Sequence, residues 1–231
     1  MKFTSEISII IPTLNEEEYI DRLLSRLRDK SEGLEIIIVD GGSKDATREI
    51  AERHDVKIIE TQPGRAHQLN TGAAVSTKDL LWFVHADTLP PVNWREKMEE
   101  SLHAGYQAGC FCFEFDENRG VRRVNSYCTR IPLMIFRGGD QSLYITRELF
   151  QRVGSYDESL QIMEDYQIIR KLSKYTRFGI MKPPIKVSTR KHKLNSYLKV
   201  NLANLVVFSG FYLGVDTGRL KSWYSSVLNY P

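Results

Sequence analysis

The apolar positions of this chain change period in a regular way. Residues 7–11 (ISIII) form a β-branched run that Pro12 should stop. Ile20, Leu23, Leu24 and Leu27 then recur at helical spacing, behind Asn15 as a fair N-cap and Glu16, Glu17 and Glu18 in the first turn, where the helix dipole favours anions. A second strand over residues 35–39 ends on Asp40-Gly41-Gly42-Ser43, and Ser43 is placed to cap a helix containing Asp45, Ala46, Thr47 and Ile50. Residues 56–60 predict a third strand and residues 64–75 a third helix. Residues 80–84 (LLWFV) predict a strand buried on both faces. Strands alternating with helices in this way predict an α/β fold: a mostly parallel, Rossmann-like sheet with helices on both faces.

The second half is more irregular. Residues 108–115 alternate Cys110, Cys112 and Glu114 with Phe111, Phe113 and Phe115, which predicts a half-buried strand. Helices are expected over residues 122–130 and over residues 147–158, the latter ended by Gly154, with short strands at 143–145 and 185–187. Residues 200–215 carry no charge, yet a bilayer span needs ~20 mostly apolar residues, so this helix should not cross a membrane. Its stripe of Leu198, Leu202, Leu205, Val206 and Leu213 should pack on the core or on a partner, with shallow membrane insertion as the alternative. The expected organisation is one domain over residues 1–194, with halves 1–90 and 91–194, followed by a C-terminal helical extension over residues 195–231.

In open α/β sheets ligands lie outside the carboxyl ends of the strands, and these strand ends are polar. The first supplies Thr13, Asn15 and Glu16, the second Asp40 and Ser43, the fourth His85 and Asp87. Neither G-x-G-x-x-G nor G-x-x-x-x-G-K-[ST] occurs, which excludes the usual dinucleotide fingerprint and the P-loop. The 231 residues, 42% apolar and 26% charged, are those of an ordinary globular chain, neither disordered nor fibrous. Three cysteines are too few for a disulfide framework and predict a reduced, cytoplasmic protein, and the N-terminus reads as neither a signal peptide nor an anchor. The net charge of +3 hides an asymmetry: residues 1–169 hold 20 basic and 28 acidic residues, whereas residues 170–215 hold ten Lys/Arg and no acid. A face that basic suits an anionic partner such as phosphate, anionic lipid or nucleic acid.

Several motifs then occur in order: P-T-L-N-E from Pro12, I-I-V-D-G-G-S-x-D-x-T from Ile37, G-R-A-x-Q-L-N-x-G-A from Gly64, H-A-D-T from His85, R-G-G-D-Q from Arg137 and M-E-D-Y-Q from Met163. Together they resemble the family 2 glycosyltransferases, whose fold is the A-type nucleotide-sugar-binding domain. The resemblance implies a nucleotide-diphospho-sugar donor, a divalent metal and transfer with inversion at the anomeric carbon, and no nucleic acid among the partners. It places Pro12, Thr13, Asn15, Glu16, Asp40 and Ser43 around the nucleoside, brings Arg65 and Gln68 to the base or a phosphate, and puts Gly139, Asp140 and Gln141 in the acceptor pocket.

The chemistry can be read beside the resemblance. Mg²⁺ or Mn²⁺ is commonly held by one or two carboxylates with phosphate oxygens and water, a role that suits Asp87. His85 stands where the family's Asp-x-Asp pattern has its first acid, which leaves a single carboxylate in the motif. In fold relatives a His or Arg after the last strand reaches the metal or the diphosphate, so Arg190 and His192 are candidates. An inverting displacement needs a base. Glu164 and Asp165 fall in the first turn of a helix, and the resemblance assigns the base to Asp165, with Asp140 as the alternative. A lipid-linked acceptor, peripheral contact with the inner face of a membrane and a homodimer are further expectations. The competing functions are a sugar-phosphate nucleotidyltransferase, disfavoured by the acidic loop after the first strand, and a non-catalytic binding protein on the same fold.

Overall fold

The computed structural model describes residues 6–28 and 33–229. In chain order the elements are β1 (Ile7–Thr13), α1 (Ile20–Arg28), β2 (Leu34–Asp40), α2 (Thr47–Glu52), β3 (Lys57–Glu60), α3 (Arg65–Val75), β4 (Leu80–Phe83), β5 (Thr88–Leu89) and α4 (Trp94–His103). There follow β6 (Ala108–Phe115), α5 (Val121–Cys128), β7 (Leu143–Thr146), α6 (Arg147–Arg152), α7 (Glu164–Leu172), β8 (Phe178–Val187), α8 (Arg190–Leu194), α9 (Tyr197–Tyr212) and α10 (Thr217–Val227). One eight-stranded sheet has the order β3-β2-β1-β4-β7-β6-β8-β5.

The first four long strands are parallel, as the alternation of strands and helices predicts. Beyond them β7 enters antiparallel to both β4 and β6, β6 and β8 are parallel, and β5 closes the edge antiparallel to β8. Side chains alternate across a strand, so β4 sends Trp82 to one face and Phe83 to the other. Trp82 stacks on Trp94 of α4 at 4.7 Å in the cluster that includes Leu23, Leu24 and Leu27 of α1. Phe83 packs with Phe150 and Tyr156 in the cluster beneath α3 and α7. All four β4 side chains are buried, as their uniform apolarity requires.

Four local expectations are corrected. β1 runs through Pro12 to Thr13, because β4 pairs only with residues 7–10 and leaves β1 a single partner at the proline. Asn15 does not cap α1, which begins only at Ile20; it adopts left-handed backbone (φ 56°), and its side chain accepts from the Lys44 amide. β6 is buried on both faces over most of its length, since it lies between β7 and β8 rather than under one layer. The 185–187 strand is the end of the ten-residue β8, whose register against β6 shifts opposite Pro183-Pro184. Two prolines had hidden its first half.

The stripe of Leu198, Leu202, Leu205 and Val206 on α9, with Leu213 just past its end, faces outward, so it does not pack on the core. The inward face is Val200, Ala203 and Val207, against Leu220 and Leu228 of the α10 segment. Phe208 meets Tyr166 of α7 edge to face, and Arg170 lies over Phe211 and Tyr212, so α9 is attached to the helix that begins with Glu164.

Helix α3 lies close on the sheet because Gly72 has no side chain. A Cβ there would collide with Ile10 Cγ2 and stand 3.0 Å from Val39 Cγ2. Gly72→Ala should therefore cost about 1–3 kcal/mol, the range for overpacking a filled core, read as a lower urea midpoint at unchanged m.

Candidate functional site

The polar strand ends form two adjoining groups. The donor-side group is built by two loops that bond each other. Asn15 N donates to Ser43 Oγ at 2.9 Å, Glu16 N to Thr47 Oγ1 at 2.7 Å and Glu17 N to Asp45 Oδ2 at 3.1 Å, while Ala46 N donates to Glu17 Oε2 at 2.9 Å. Asp40 is buried at the end of β2, and its carboxylate accepts from Gly42 N and Ser43 N, which shapes the turn. Gln68 spends both amide hydrogens on the carbonyls of Thr13 and Val39 at 2.9 and 2.8 Å and accepts from Gly64 N. Expected at the base or a phosphate, it instead ties α3 to the ends of β1 and β2. Pro12 and Thr13 end β1 in register with Val39 and Asp40, which places them at the same edge of the sheet.

Arg190, at the start of α8, reaches across to this group. Its guanidinium makes a bidentate pair with Glu16 at 2.8 and 2.9 Å and stands 3.2 Å from Asp87 Oδ2, over the Tyr19 ring. Glu16 is raised by its burial, an effect that Arg190 offsets in part and Asp87 reinforces. His192, expected beside the metal, packs between the rings of Phe115 and Tyr197, each at 5.2 Å. Burial pushes it down, with Arg122 and Lys191 acting in the same direction. Of the two candidates after the last strand, Arg190 is the one beside Asp87.

The second group contains Arg65, His85, Asp140, Glu164 and Asp165. Met163 adopts left-handed backbone (φ 75°) and turns the first residues of α7 toward Arg65, whose Nη1 lies 3.5 Å from Glu164 Oε1 and 3.9 Å from Asp165 Oδ2. His85 Nδ1 stands 3.6 Å from Asp140 Oδ1. Gly139 makes this packing possible, because a Cβ on it would collide with the Asp165 carboxylate and the His85 ring. Gln141, expected in the acceptor pocket, is buried and accepts from Cys110 Sγ, so it points into the core; Asp140 is exposed beside it.

The charges divide clearly. Burial and the adjacent Glu164 push Asp165 up to about 6, with His85 and Arg65 opposing. Its side chain is only 13% exposed. Asp140 goes the other way: against the cost of partial burial, His85, Lys191 and Arg65 hold its carboxyl well below the usual range. His85 is itself raised, since Asp140 and Asp165 outweigh both its burial and the repulsion of Arg65. One carboxyl of the group is thus held low and another pushed up, a division that acid–base chemistry can use.

Three supports were not read from the sequence. Arg137 is buried with no ion pair among the described residues, and its guanidinium donates to the carbonyls of Thr129, Ile131 and Leu133 and to Cys110 Sγ. Trp82 Nε1 donates to Ser142 Oγ at 3.0 Å, and Ser142 holds left-handed backbone (φ 58°) just after Gln141. Asn70, inside a recognised motif, donates to the Tyr156 carbonyl and accepts from its amide. An arginine directly before two glycines, in a stretch without acids, was the one available signal.

Solved structures with this arrangement of sheet and helices are A-type glycosyltransferases. A mannosyltransferase of Pyrobaculum calidifontis, in complex with GDP-Man and Mn²⁺, superposes with a TM-score of 0.67 at 22% identity, over 89% of this chain and 63% of that one. TarS of S. aureus (residues 1–349, in complex with UDP-GlcNAc) gives 0.66 at 17% identity, over 88% of this chain and 66% of that one. The sequence profile described as Glycosyl transferase family 2 matches residues 8–152, and the chain belongs to that family. An uncharacterized glycosyltransferase of Rickettsia prowazekii is 28% identical over 70% of this chain and 57% of its own length; another, of Haemophilus influenzae, is 28% identical over 77% and 66%. The chain spans less than two thirds of the length of these curated relatives. Family membership favours the transferase over the nucleotidyltransferase.

The raised Asp165 has a consequence for stability. Its folded value near 6 lies above the unfolded value near 3.8, so the ionised carboxylate destabilises the fold, fully above about pH 6 and not at all below the unfolded value. Asp165→Asn should therefore melt at a higher temperature than the parent at pH 8, with the difference vanishing toward pH 4. An equal or lower melting temperature at pH 8 would contradict this account of the site.

Proposed function

We propose that this chain moves a sugar from a nucleotide-diphospho-sugar to an acceptor hydroxyl with inversion, and that Asp165 is the general base. The observation that carries the reading is the Asp165 carboxylate: only slightly exposed, pushed up to about 6 and set against Gly139, which leaves it room. A base with a value near working pH combines a useful ionised fraction with enough basicity to take a hydroxyl proton. Asp140, held ionised by His85, suits the binding of acceptor hydroxyls better than proton exchange.

Donor binding is assigned to the interlocked loops. Pro12, Thr13, Asn15, Glu16, Asp40 and Ser43 frame the nucleoside subsite, with Arg65 available to a phosphate or to the sugar. The mannosyltransferase with GDP-Man and TarS with UDP-GlcNAc support a GDP- or UDP-linked hexose. The hard oxygens of Asp87 fit Mg²⁺ or Mn²⁺. Among the described residues no group of three or more His, Cys, Asp or Glu could hold a metal ion, which fits a cation completed by the donor's own diphosphate. When bound, that cation would offset charge developing on the leaving diphosphate. Arg190, already at 3.2 Å from Asp87, is the residue able to turn from Asp87 to the diphosphate.

Two measurements test the reading. Titration with UDP- and GDP-sugars, with and without Mn²⁺, should show metal-dependent binding that Asp87→Asn loses and Asp165→Asn keeps, while Asp165→Asn lowers transfer by about 10²- to 10⁴-fold, the usual contribution of a general base. A non-catalytic protein would bind donor and transfer nothing in any variant. Transfer should also rise with pH to a plateau above about 6. Because Arg65 lowers the Asp165 value, Arg65→Gln should move that limb to higher pH. A limb that stays in place would assign the base elsewhere.

A further inference from the structure

The acceptor side of the site is bordered by an apolar surface that the chain itself leaves uncovered. On α9 the outward stripe includes Leu198, 77% exposed, and Leu202, 63% exposed. On α5 the outward residues are Val121, Val124 and Tyr127, with Val124 63% exposed. The two helices are joined by a hydrogen bond from Asn125 Nδ2 to Asn201 Oδ1 at 3.4 Å, so their apolar stripes flank a common seam. A third strip, of Ile131, Leu133 and Ile135, is exposed on the loop that leads directly into Arg137-Gly138-Gly139.

This loop is held apolar side out. The Arg137 guanidinium binds the carbonyls of residues 129, 131 and 133 from beneath, so the polar backbone is satisfied inside and the aliphatic side chains are displayed. A buried arginine satisfied by carbonyls would not be needed to hold a casually exposed loop. Apolar side chains displayed together in this way on a protein surface mark interaction sites.

Charge selects the partner. Residues 118–139 contain no acid, and Arg119, Arg122 and Arg123 lie in or just before α5, while Lys193 on α8 and Lys199 on α9 add to them. Arg122 is answered by Glu117 at 3.3 Å, but Arg119, Arg123, Lys193 and Lys199 are exposed and make no ion pair among the described residues. A two-fold interface with a second copy would set this basic surface against itself. Nucleic acid would have no use for rows of leucine and valine. An anionic bilayer surface satisfies both features, with aliphatic side chains at the acyl boundary and basic ones among the headgroups. At 16 residues α9 is about 24 Å long, short of the ~30 Å hydrocarbon core, and its polar Asn201 and Asn204 have partners within the protein. It can lie in the interface but not cross it.

We infer that the surface made by α5, α9 and residues 131–135 docks this protein on an anionic membrane, with the Asp140 and Asp165 side of the site facing the lipid. The docking rests on the surface itself and does not depend on the reading of the reaction. The test is co-sedimentation of the full chain with phosphatidylcholine vesicles and with vesicles that also contain phosphatidylglycerol. The protein should partition to the anionic vesicles and be released by salt. Val124→Asp with Leu202→Asp should weaken that partition at least tenfold, and Arg123→Glu with Lys199→Glu should remove its preference for anionic lipid, with melting temperature and nucleotide-sugar binding unchanged in both pairs. Failure to bind either vesicle would overturn the inference. So would a stable dimer that Leu202→Asp dissolves, which would give the surface to a second copy.

Discussion

Two carboxylates on consecutive residues, Glu164 buried and Asp165 half-buried, begin a helix, and the site depends on how their charge is managed. Taking adjacent acids out of water is costly unless a cation or a proton answers them. Both answers are present. Arg65 on α3 supplies a guanidinium to the pair, and the raised Asp165 accepts a proton more readily than an ordinary aspartate. Since α3 belongs to the first half of the sheet and α7 to the second, this one charge contact also couples the two halves at the crevice.

The rest of the architecture holds that contact in place. Gly72 lets α3 settle on β1 and β2, Gln68 ties it to their ends, and Asn70 clamps the Tyr156 backbone ahead of α7. On the other side Gly139 allows the loop to pass against Asp165, while Trp82 fixes Ser142 from the middle of the sheet. Three of the four left-handed non-glycine residues among those described, Asn15, Ser142 and Met163, stand at the crevice, where strained backbone is tolerated because its surroundings leave no other conformation.

Much of this was legible in the chain. Strand and helix alternation over the first ninety residues or so predicted the parallel half, because each element there has a clean period and a polar end. The second half was read less well, for local reasons. β7 is four residues long and reverses direction, which no periodicity reports, and β8 was masked by Pro183-Pro184 at a register shift. Site residues at strand ends and in the first turn of α7 were visible as polar groups after apolar runs. Those whose work is internal, such as Gln68 and Gln141, look the same in sequence as residues that meet a ligand, and only the partners of their amides distinguish them. His192 and Arg190 sit two residues apart in one basic run, and the turn at the start of α8 decides which of them reaches Asp87.

The Arg190 pair also bears on kinetics. A guanidinium shared between Glu16 and Asp87 offsets part of their charge and holds the Asp87 carboxylate in an ion pair. Any ligand that needs Asp87 free binds only the molecules in which this pair has opened, so its apparent affinity is the intrinsic one multiplied by that open fraction. A guanidinium that competes for Asp87 while the ligand is still leaving also speeds release. A residue that weakens capture in this way would shorten each turnover whose slow step is letting go of a charged product.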